Sequence, residues 1–152
     1  GPKCIVVVSS SPQVRYPDCY GIDMARMEDL IAFRAAIALI KERGMRHLIT
    51  DVYEACKLEN AREERQVENC VQRIYAPFTA EELSEEMSRM LRHPDMRAEL
   101  RIEFQSVENL HIACPNDTGD WYFTGNYPTP GGNRVANQAY INYIEGNHCR
   151  AY

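Results

Sequence analysis

Three serines and a proline follow the first apolar stretch of the chain, and their position makes them the first candidates for ligand binding. Ser9, Ser10, Ser11 and Pro12 come directly after a run of apolar residues that predicts a β-strand. Open α/β sheets bind ligands at the carboxyl ends of their strands, where such hydroxyls could contact a substrate. The simpler interpretation is that the hydroxyls end the strand and bond amides of the turn. The sequence leaves both interpretations open.

The loop that follows contains Pro12, Pro17 and Gly21, and its most interesting acid is Asp23. Asp23 lies just before a predicted long helix, so N-capping of that helix is the simplest role for its carboxylate. Contact with a substrate or with another domain is the alternative. Arg15 and Tyr16 either bind an anion or fix the loop in place.

Outside this loop the sequence contains no recognisable catalytic pattern. It has no Gly-x-Ser-x-Gly elbow, no Walker phosphate loop, no dinucleotide fingerprint and no His-Glu-x-x-His motif. The cysteines form no Cys-x-x-Cys pair, and the one close His and Cys pair is His148 and Cys149, so the signal for metal binding is weak. We therefore predict neither catalytic residues nor metal ligands in this chain.

Composition limits the class of protein. The 152 residues are 45% hydrophobic and 26% charged, as in soluble globular domains. A net charge of -5 argues against nucleic acid or anionic membrane as a partner. Neither a membrane span nor a signal peptide is recognisable, so we expect a cytoplasmic protein whose cysteines are free thiols. The six cysteines are Cys4, Cys19, Cys56, Cys70, Cys114 and Cys149.

The elements that position the loop begin with a strand over residues 4–9. Five successive apolar positions predict a strand that is buried on both faces, as in a parallel sheet covered by helices. A second strand is predicted at 99–105. Because two strands do not form a stable sheet alone, we expect this chain to be the C-terminal piece of a larger α/β protein.

Helical periodicity predicts most of the remaining elements. A long helix begins at Met24 or Met27 and ends at Arg43, before the C-capping Gly44. A Thr79-x-x-Glu82 capping box begins another helix that ends near Arg92. Further helices are predicted at about 46–58, 62–74, 107–113 and 134–145, with a long loop over 116–133.

Two stretches of the sequence carry recognisable motifs. The first is residues 9–24, followed by Glu28-Asp29-Leu30-Ile31-Ala32, and the second is Phe123-Thr124-Gly125-Asn126-Tyr127-Pro128-Thr129. Both resemble the C-terminal part of glutamine phosphoribosylpyrophosphate amidotransferase, also called amidophosphoribosyltransferase. In that family a strand ends in small residues and a proline, continues through Arg-aromatic-Pro, and reaches Tyr-Gly-Ile-Asp before a Glu-Leu-Ile-Ala helix.

The resemblance implies a cytosolic enzyme of purine biosynthesis. Such an enzyme transfers ammonia from glutamine to phosphoribosylpyrophosphate and forms phosphoribosylamine, pyrophosphate and glutamate. It combines an N-terminal-nucleophile glutaminase with a type I phosphoribosyltransferase domain that uses Mg²⁺. This chain would be a helix-rich C-terminal fragment of the phosphoribosyltransferase domain, with few strands.

The departures from the family place both catalytic centres, and the Mg²⁺ site, outside this chain. The Asp-Asp-Ser-Ile-Val-Arg-Gly signature is absent, and Cys4 lies inside a strand, where it cannot be the N-terminal nucleophile. The isolated chain is therefore expected to be inactive. Some family members hold an iron–sulfur cluster through cysteines at positions that are Asp18, Gly119 and Tyr122 here, so we expect no iron–sulfur cluster.

If positions are matched residue by residue to the family, Tyr20 and Asp23, with Arg15 nearby, are expected close to the phosphoribosyl or interdomain surface. Residues 1–40 would form the core strand, loop and helix; 41–95 would be a helical expansion; 96–152 would supply a strand, a helix and the C-terminal loop and helix.

The partners follow from the same resemblance. We expect phosphoribosylpyrophosphate and glutamine as substrates of the intact enzyme, the missing N-terminal domains as the chain's neighbours, and a homo-oligomer. We also expect the isolated chain to self-associate through its exposed sheet. The alternative is a stand-alone binding, regulatory or subunit-contact module without catalytic activity.

Overall fold

The structure, a computed structural model, describes residues 1–21, 23–63, 66–116 and 119–151. Its described part is helix-rich and contains one small parallel sheet, which confirms the α/β prediction. The strands are β1 (Cys4–Ser9) and β2 (Glu99–Phe104). The helices are α1 (Ile31–Glu42), α2 (His47–Ala61), α3 (Gln72–Tyr75), α4 (Ala80–Leu91), α5 (Val107–Ala113), α6 (Trp121–Thr124) and α7 (Pro130–Glu145).

The two strands pair in parallel, with Cys4 opposite Glu99 and Ser9 opposite Phe104. Helices α1 to α4 form the crossover that a parallel connection requires. The amide of Glu99 donates to the carbonyl of Lys3 at 2.9 Å, and that of Gln105 donates to the carbonyl of Ser9 at 3.2 Å. Alternate residues of β1 therefore face β2, which leaves the backbone groups of Cys4, Val6 and Val8 on the opposite edge of β1.

The expectation that β1 is buried on both faces is wrong for this chain. Ile5 is 37% exposed, Val6 53%, Val7 48% and Val8 74%. The physical reason is that β1 pairs with β2 alone within the described ranges. Four adjacent apolar side chains are left in contact with water, which is unfavourable for surface of this kind.

The core lies among the helices instead. Phe33 in the middle of α1 is fully buried and meets the rings of Tyr140 and Tyr143 edge-on, with centroids 5.9 and 4.9 Å away. Helix α1 is rich in alanine, isoleucine and leucine, and its long buried stripe packs against α4 and against α3. The capping box at Thr79 and Glu82 is present, which confirms the predicted start of α4.

Helix α1 begins later than predicted. Met24 has a φ of 62°, in the left-handed region that a right-handed helix excludes, and a 3-10 turn over Met27–Asp29 follows it. Leu30, with extended backbone, then serves as the N-cap of α1. The capping role for Asp23 is therefore wrong, because the helix begins eight residues further on.

The helix predicted at 62–74 is reduced to the single turn of α3. Arg62 is extended, and side chains from elsewhere bind the backbone of the segment that follows. The carboxylate of Glu59 accepts from the amide of Glu68 at 3.0 Å, and the side-chain oxygen of Asn137 accepts from the amide of Cys70 at 3.0 Å. Predicted helix residues 64 and 65 lie outside the described residues.

The last helix is longer than predicted, and the loop before it is shorter. Thr129 is the N-cap of α7, its side chain accepts from the amide of Gly132, and Pro130 occupies the first turn. Proline is favoured at that position because it donates no amide hydrogen. The remaining loop contains the single turn of α6. None of the helices in the described ranges is long and apolar enough to cross a membrane.

Candidate functional site

The serines after β1 bond to one another and to the turn. The hydroxyl of Ser9 lies 3.1 Å from the carbonyl and 3.2 Å from the hydroxyl of Ser11, and the amide of Ser11 donates to the Ser9 hydroxyl at 3.3 Å. This arrangement agrees with the simpler of the two interpretations, in which the hydroxyls end the strand.

The two stretches that carry the family resemblance meet in space. We call the contact between loop 11–20 and segment 121–127 the junction. The amides of Arg15 and Tyr16 both donate to the carbonyl of Tyr122, at 2.8 and 3.1 Å. The hydroxyl of Tyr127 donates to the carbonyl of Pro17 at 2.5 Å. Segments about a hundred residues apart in sequence thus form one unit.

Asp18 is the buried acid of the junction, with 1% of its surface exposed. One carboxylate oxygen accepts from the hydroxyl of Tyr122 at 2.7 Å, and the other accepts from the amide of Tyr20 at 3.0 Å. Burial together with this bond raises the pKa of Tyr122 to about 12. At neutral pH the phenol is therefore protonated and donates to the carboxylate. In the sequence, Asp18 stands out only as a departure from the family pattern.

The guanidinium of Arg15 is engaged inside the loop. It donates to the side-chain oxygen of Gln13 from Nε at 3.1 Å and from Nη2 at 2.7 Å, and its Cζ lies 5.5 Å from the ring centroid of Tyr75. Tyr16 is buried, and burial raises its pKa above the ordinary value for a phenol. These contacts agree with the interpretation that both side chains fix the loop.

Tyr20, at the end of loop 11–20, and Asp23, three residues further on, are exposed. Tyr20 is 61% exposed, and its ring meets that of Trp121 edge-on with centroids 5.8 Å apart. The structure therefore places one predicted surface residue, Tyr20, directly on the junction. Arg15, Tyr20 and Asp23 remain predictions as substrate-proximal or interdomain residues.

A groove of about 930 Å³ lies between α4, β2 and loop 11–20. Gln13, Arg15, Ser84 and Ser106 line it. Acidic residues outnumber basic residues in its lining, which includes Arg15 and Arg101 and, as acids, Glu81, Glu85, Glu99, Glu103 and Glu108. The groove therefore gives no electrostatic support for anion binding at Arg15.

The residues at the family's cluster positions do not fit an iron–sulfur cluster. Such a cluster requires thiolate ligands, whereas the positions hold Asp18, Gly119 and Tyr122. The hydroxyl of Tyr122 donates to Asp18, so two of the three positions already bind each other. Within the described ranges, no group of three or more His, Cys, Asp or Glu side chains could hold a metal ion.

Comparison with known proteins gives a partial match. A segment of 65 residues, 40% of this chain, is 40% identical to the amidophosphoribosyltransferase of Haemophilus influenzae (strain ATCC 51907 / DSM 11121 / KW20 / Rd). The matched segment spans 13% of that enzyme's length. No model of a known protein family matches the chain, and no solved structure matches it. The chain is thus similar, over part of its length, to an enzyme of this name.

Proposed function

We propose that this chain forms the C-terminal part of the phosphoribosyltransferase half of an amidophosphoribosyltransferase. The intact enzyme would release ammonia from glutamine by hydrolysis and use it to displace pyrophosphate from phosphoribosylpyrophosphate. The products are phosphoribosylamine, pyrophosphate and glutamate. Both catalytic centres and the Mg²⁺ site would lie in the rest of the polypeptide, which leaves this chain a structural and positioning role.

The observation that carries the proposal is the junction. Two motifs that resemble the family at separate places in the sequence are joined by the bonds from Arg15 and Tyr16 to Tyr122 and from Tyr127 to Pro17. A chance resemblance of two unrelated loops gives no reason for them to bind each other. The partial identity to the Haemophilus enzyme supports the same proposal.

The exposed apolar strand supports a larger sheet. The free edge of β1 presents the backbone groups of Cys4, Val6 and Val8, and its side chains are apolar on both faces. A strand with this pattern is stable in the middle of a parallel sheet that is covered by helices. We propose that the rest of the polypeptide supplies a further strand beside β1 and the helices that cover it.

The test is an assay of the full-length polypeptide that contains this chain. With phosphoribosylpyrophosphate and Mg²⁺, we expect pyrophosphate release that depends on glutamine or ammonia, and none from the isolated chain. A full-length protein that folds and binds phosphoribosylpyrophosphate but releases no pyrophosphate with either nitrogen donor would overturn the proposal and favour a non-catalytic module.

Asp23→Ala sharpens this test. Because Asp23 is exposed, its removal should leave the free energy of unfolding unchanged. If the carboxylate lies near the phosphoribosyl or interdomain surface, glutamine-dependent turnover falls about tenfold. Asp51→Ala, which removes an exposed acid from α2, is the matched control and should change neither quantity. Unchanged turnover in Asp23→Ala removes the reason for assigning this residue.

A further inference from the structure

Three polar side chains from the helical middle of the chain reach the junction. The Nδ2 of Asn69 donates to the carbonyl of Gly125 at 3.0 Å, and the Nε2 of Gln72 donates to the carbonyl of Thr124 at 2.9 Å. The hydroxyl of Tyr75 donates to the carbonyl of Arg15 at 2.5 Å. Each acceptor is a backbone carbonyl, so the bonds fix the course of the main chain on both sides of the junction.

Two of these side chains are themselves held in place. Asn69 is 7% exposed and Tyr75 3% exposed. The side-chain oxygen of Asn69 accepts from the amide of Val71 at 3.1 Å, and the ring of Tyr75 meets that of Tyr16 edge-on at 5.3 Å. Leaving a buried donor or acceptor without a partner costs about 1–3 kcal/mol, so these bonds resist opening.

The bonding continues from Arg15 to the exposed part of the loop. Arg15 donates its amide to the carbonyl of Tyr122, whose hydroxyl donates to Asp18. Asp18 accepts from the amide of Tyr20 and donates its own amide to the carbonyl of Met24 at 3.1 Å. Hydrogen bonds from one residue to the next therefore connect α3, through Arg15, Tyr122 and Asp18, to Tyr20 and Met24.

Met24, at the far end of these bonds, has a backbone conformation that its side chain disfavours. Met24 has a φ of 62°. For a residue with a side chain, the left-handed conformation costs about 1 kcal/mol or more and persists where surrounding contacts impose it. The bonds from Asp18 to Tyr20 and Met24 are such contacts.

We propose that the segment Asn69–Tyr75 is a positioning element for the loop that carries Tyr20 and Asp23. Tyr75 and Asn69 are its positioning residues, and they act through the junction rather than by touching a substrate. This assigns a role to the helical middle, residues 41–95. The effect on turnover rests on the proposed function, whereas the effect on loop order does not.

The experiment compares Tyr75→Phe with Tyr140→Phe. Each variant removes one buried phenol hydroxyl that donates to a backbone carbonyl, of Arg15 in the first case and of Ile49, at 3.0 Å, in the second. Tyr140 lies in the helical core, and its hydroxyl bonds to α2 rather than to the junction. The two variants therefore remove the same kind of hydrogen bond, one to the junction and one to helix α2.

Loop order is measured by amide hydrogen exchange and by the fluorescence of Trp121, the single tryptophan of the chain, which lies against Tyr20. Tyr75→Phe should raise the exchange rates of the Arg15, Tyr16 and Tyr20 amides about tenfold and make Trp121 easier to quench. Tyr140→Phe should leave both readouts unchanged. Equal behaviour of the loop in the two variants overturns the inference.

Turnover is then measured in the full-length protein. Tyr75→Phe should lower kcat for glutamine-dependent pyrophosphate release about tenfold while the KM for glutamine stays constant, and Tyr140→Phe should retain normal kcat. If the unsubstituted protein has no activity, the proposed function fails, and the exchange data alone decide the positioning role. If it is active and Tyr75→Phe has normal kcat, the positioning role is wrong.

Discussion

The junction and strand β1 are neighbours in sequence, yet the chain satisfies their physical requirements to different degrees. Loop 11–20 buries Tyr16 and Asp18 to 3% and 1% exposure, and its backbone is bonded by groups of the same chain. Strand β1 has one neighbour in the described ranges and leaves Val8 74% exposed. The chain's own residues therefore determine the junction, whereas β1 carries apolar surface that these residues leave uncovered.

The largest effect is expected from Gly125→Ala, which disrupts the packing of the junction. Gly125 has a φ of 76°, and an added Cβ would lie 2.7 Å from Cζ of Tyr16 and 2.8 Å from Nδ2 of Asn69. Backbone strain and overpacking together should lower the free energy of unfolding by about 2–4 kcal/mol. Urea unfolding followed by circular dichroism measures this loss.

Gly146→Ala is the matched control. Gly146 has a φ of 67°, but an added Cβ would meet nothing within 4 Å. Gly146→Ala should therefore lower the free energy of unfolding only by the cost of backbone strain, about 1 kcal/mol. If the two variants lose equal stability, the close packing of the junction contributes nothing, and the contrast with β1 disappears.

The exposed strand β1 is tested by Val6→Lys together with Val8→Lys. If the apolar face of β1 drives self-association of the isolated chain, lysines there should weaken the association at least tenfold, since charges resist burial. Sedimentation should show the unsubstituted chain growing in mass with concentration, and the variant staying near 17.5 kDa. Leu58→Lys with Ile112→Lys, at positions 70% and 77% exposed outside the sheet, is the control.

A stable monomer of the unsubstituted chain at high concentration would contradict this expectation. It would mean that the exposed strand is tolerated as it stands, and the proposal of a larger sheet, which rests on that strand, would be weakened. The junction would be unaffected.

The sequence predicted helix starts correctly where the capping side chain and the amide it binds are only a few residues apart. The predicted capping box of Thr79 and Glu82 is present, because a cap and its amide partner are close neighbours in sequence. The helix expected at 62–74 failed for the opposite reason. The side chain of Asn137, far along the chain, binds the amide of Cys70 and the carbonyl of Glu68.

In the junction too, the sequence predicted local features but not the long-range contacts. The resemblance identified both of its segments, but periodicity holds no information about which carbonyl accepts from Arg15 or which phenol reaches Asp18. The roles of Asn69 and Tyr75 were missed because each depends on a bond to a residue far along the chain, Gly125 and Arg15 respectively. The burial of β1 was wrong because an apolar strand reveals the surroundings it favours rather than those that the chain provides.

The smallest effect is expected from Glu59→Gln, which asks how far the ordered region extends beyond the junction. Glu59 accepts from the amide of Glu68 at 3.0 Å and from Arg62 at 2.8 Å, and these bonds hold its pKa below the ordinary value near 4.5. The folded state therefore favours the charged form. Its contribution is fully present above the unfolded pKa and is lost as the pH falls through the folded pKa.

The free energy of unfolding of Glu59→Gln should consequently be lower than that of the unsubstituted chain at pH 7 by about 0.5 kcal/mol, a typical value for an ion pair with one exposed partner, which is Arg62 here. The difference should begin to shrink as the pH falls below about 4.5 and vanish below the lower folded pKa, where Glu59 is neutral in both the folded and the unfolded state. Urea titrations at pH 7, 5 and 3.5 would show it. A difference that stays constant with pH would mean that Glu59 stabilises the entry to segment 69–75 by shape and not by charge, and the ordered region would then owe its stability to packing throughout.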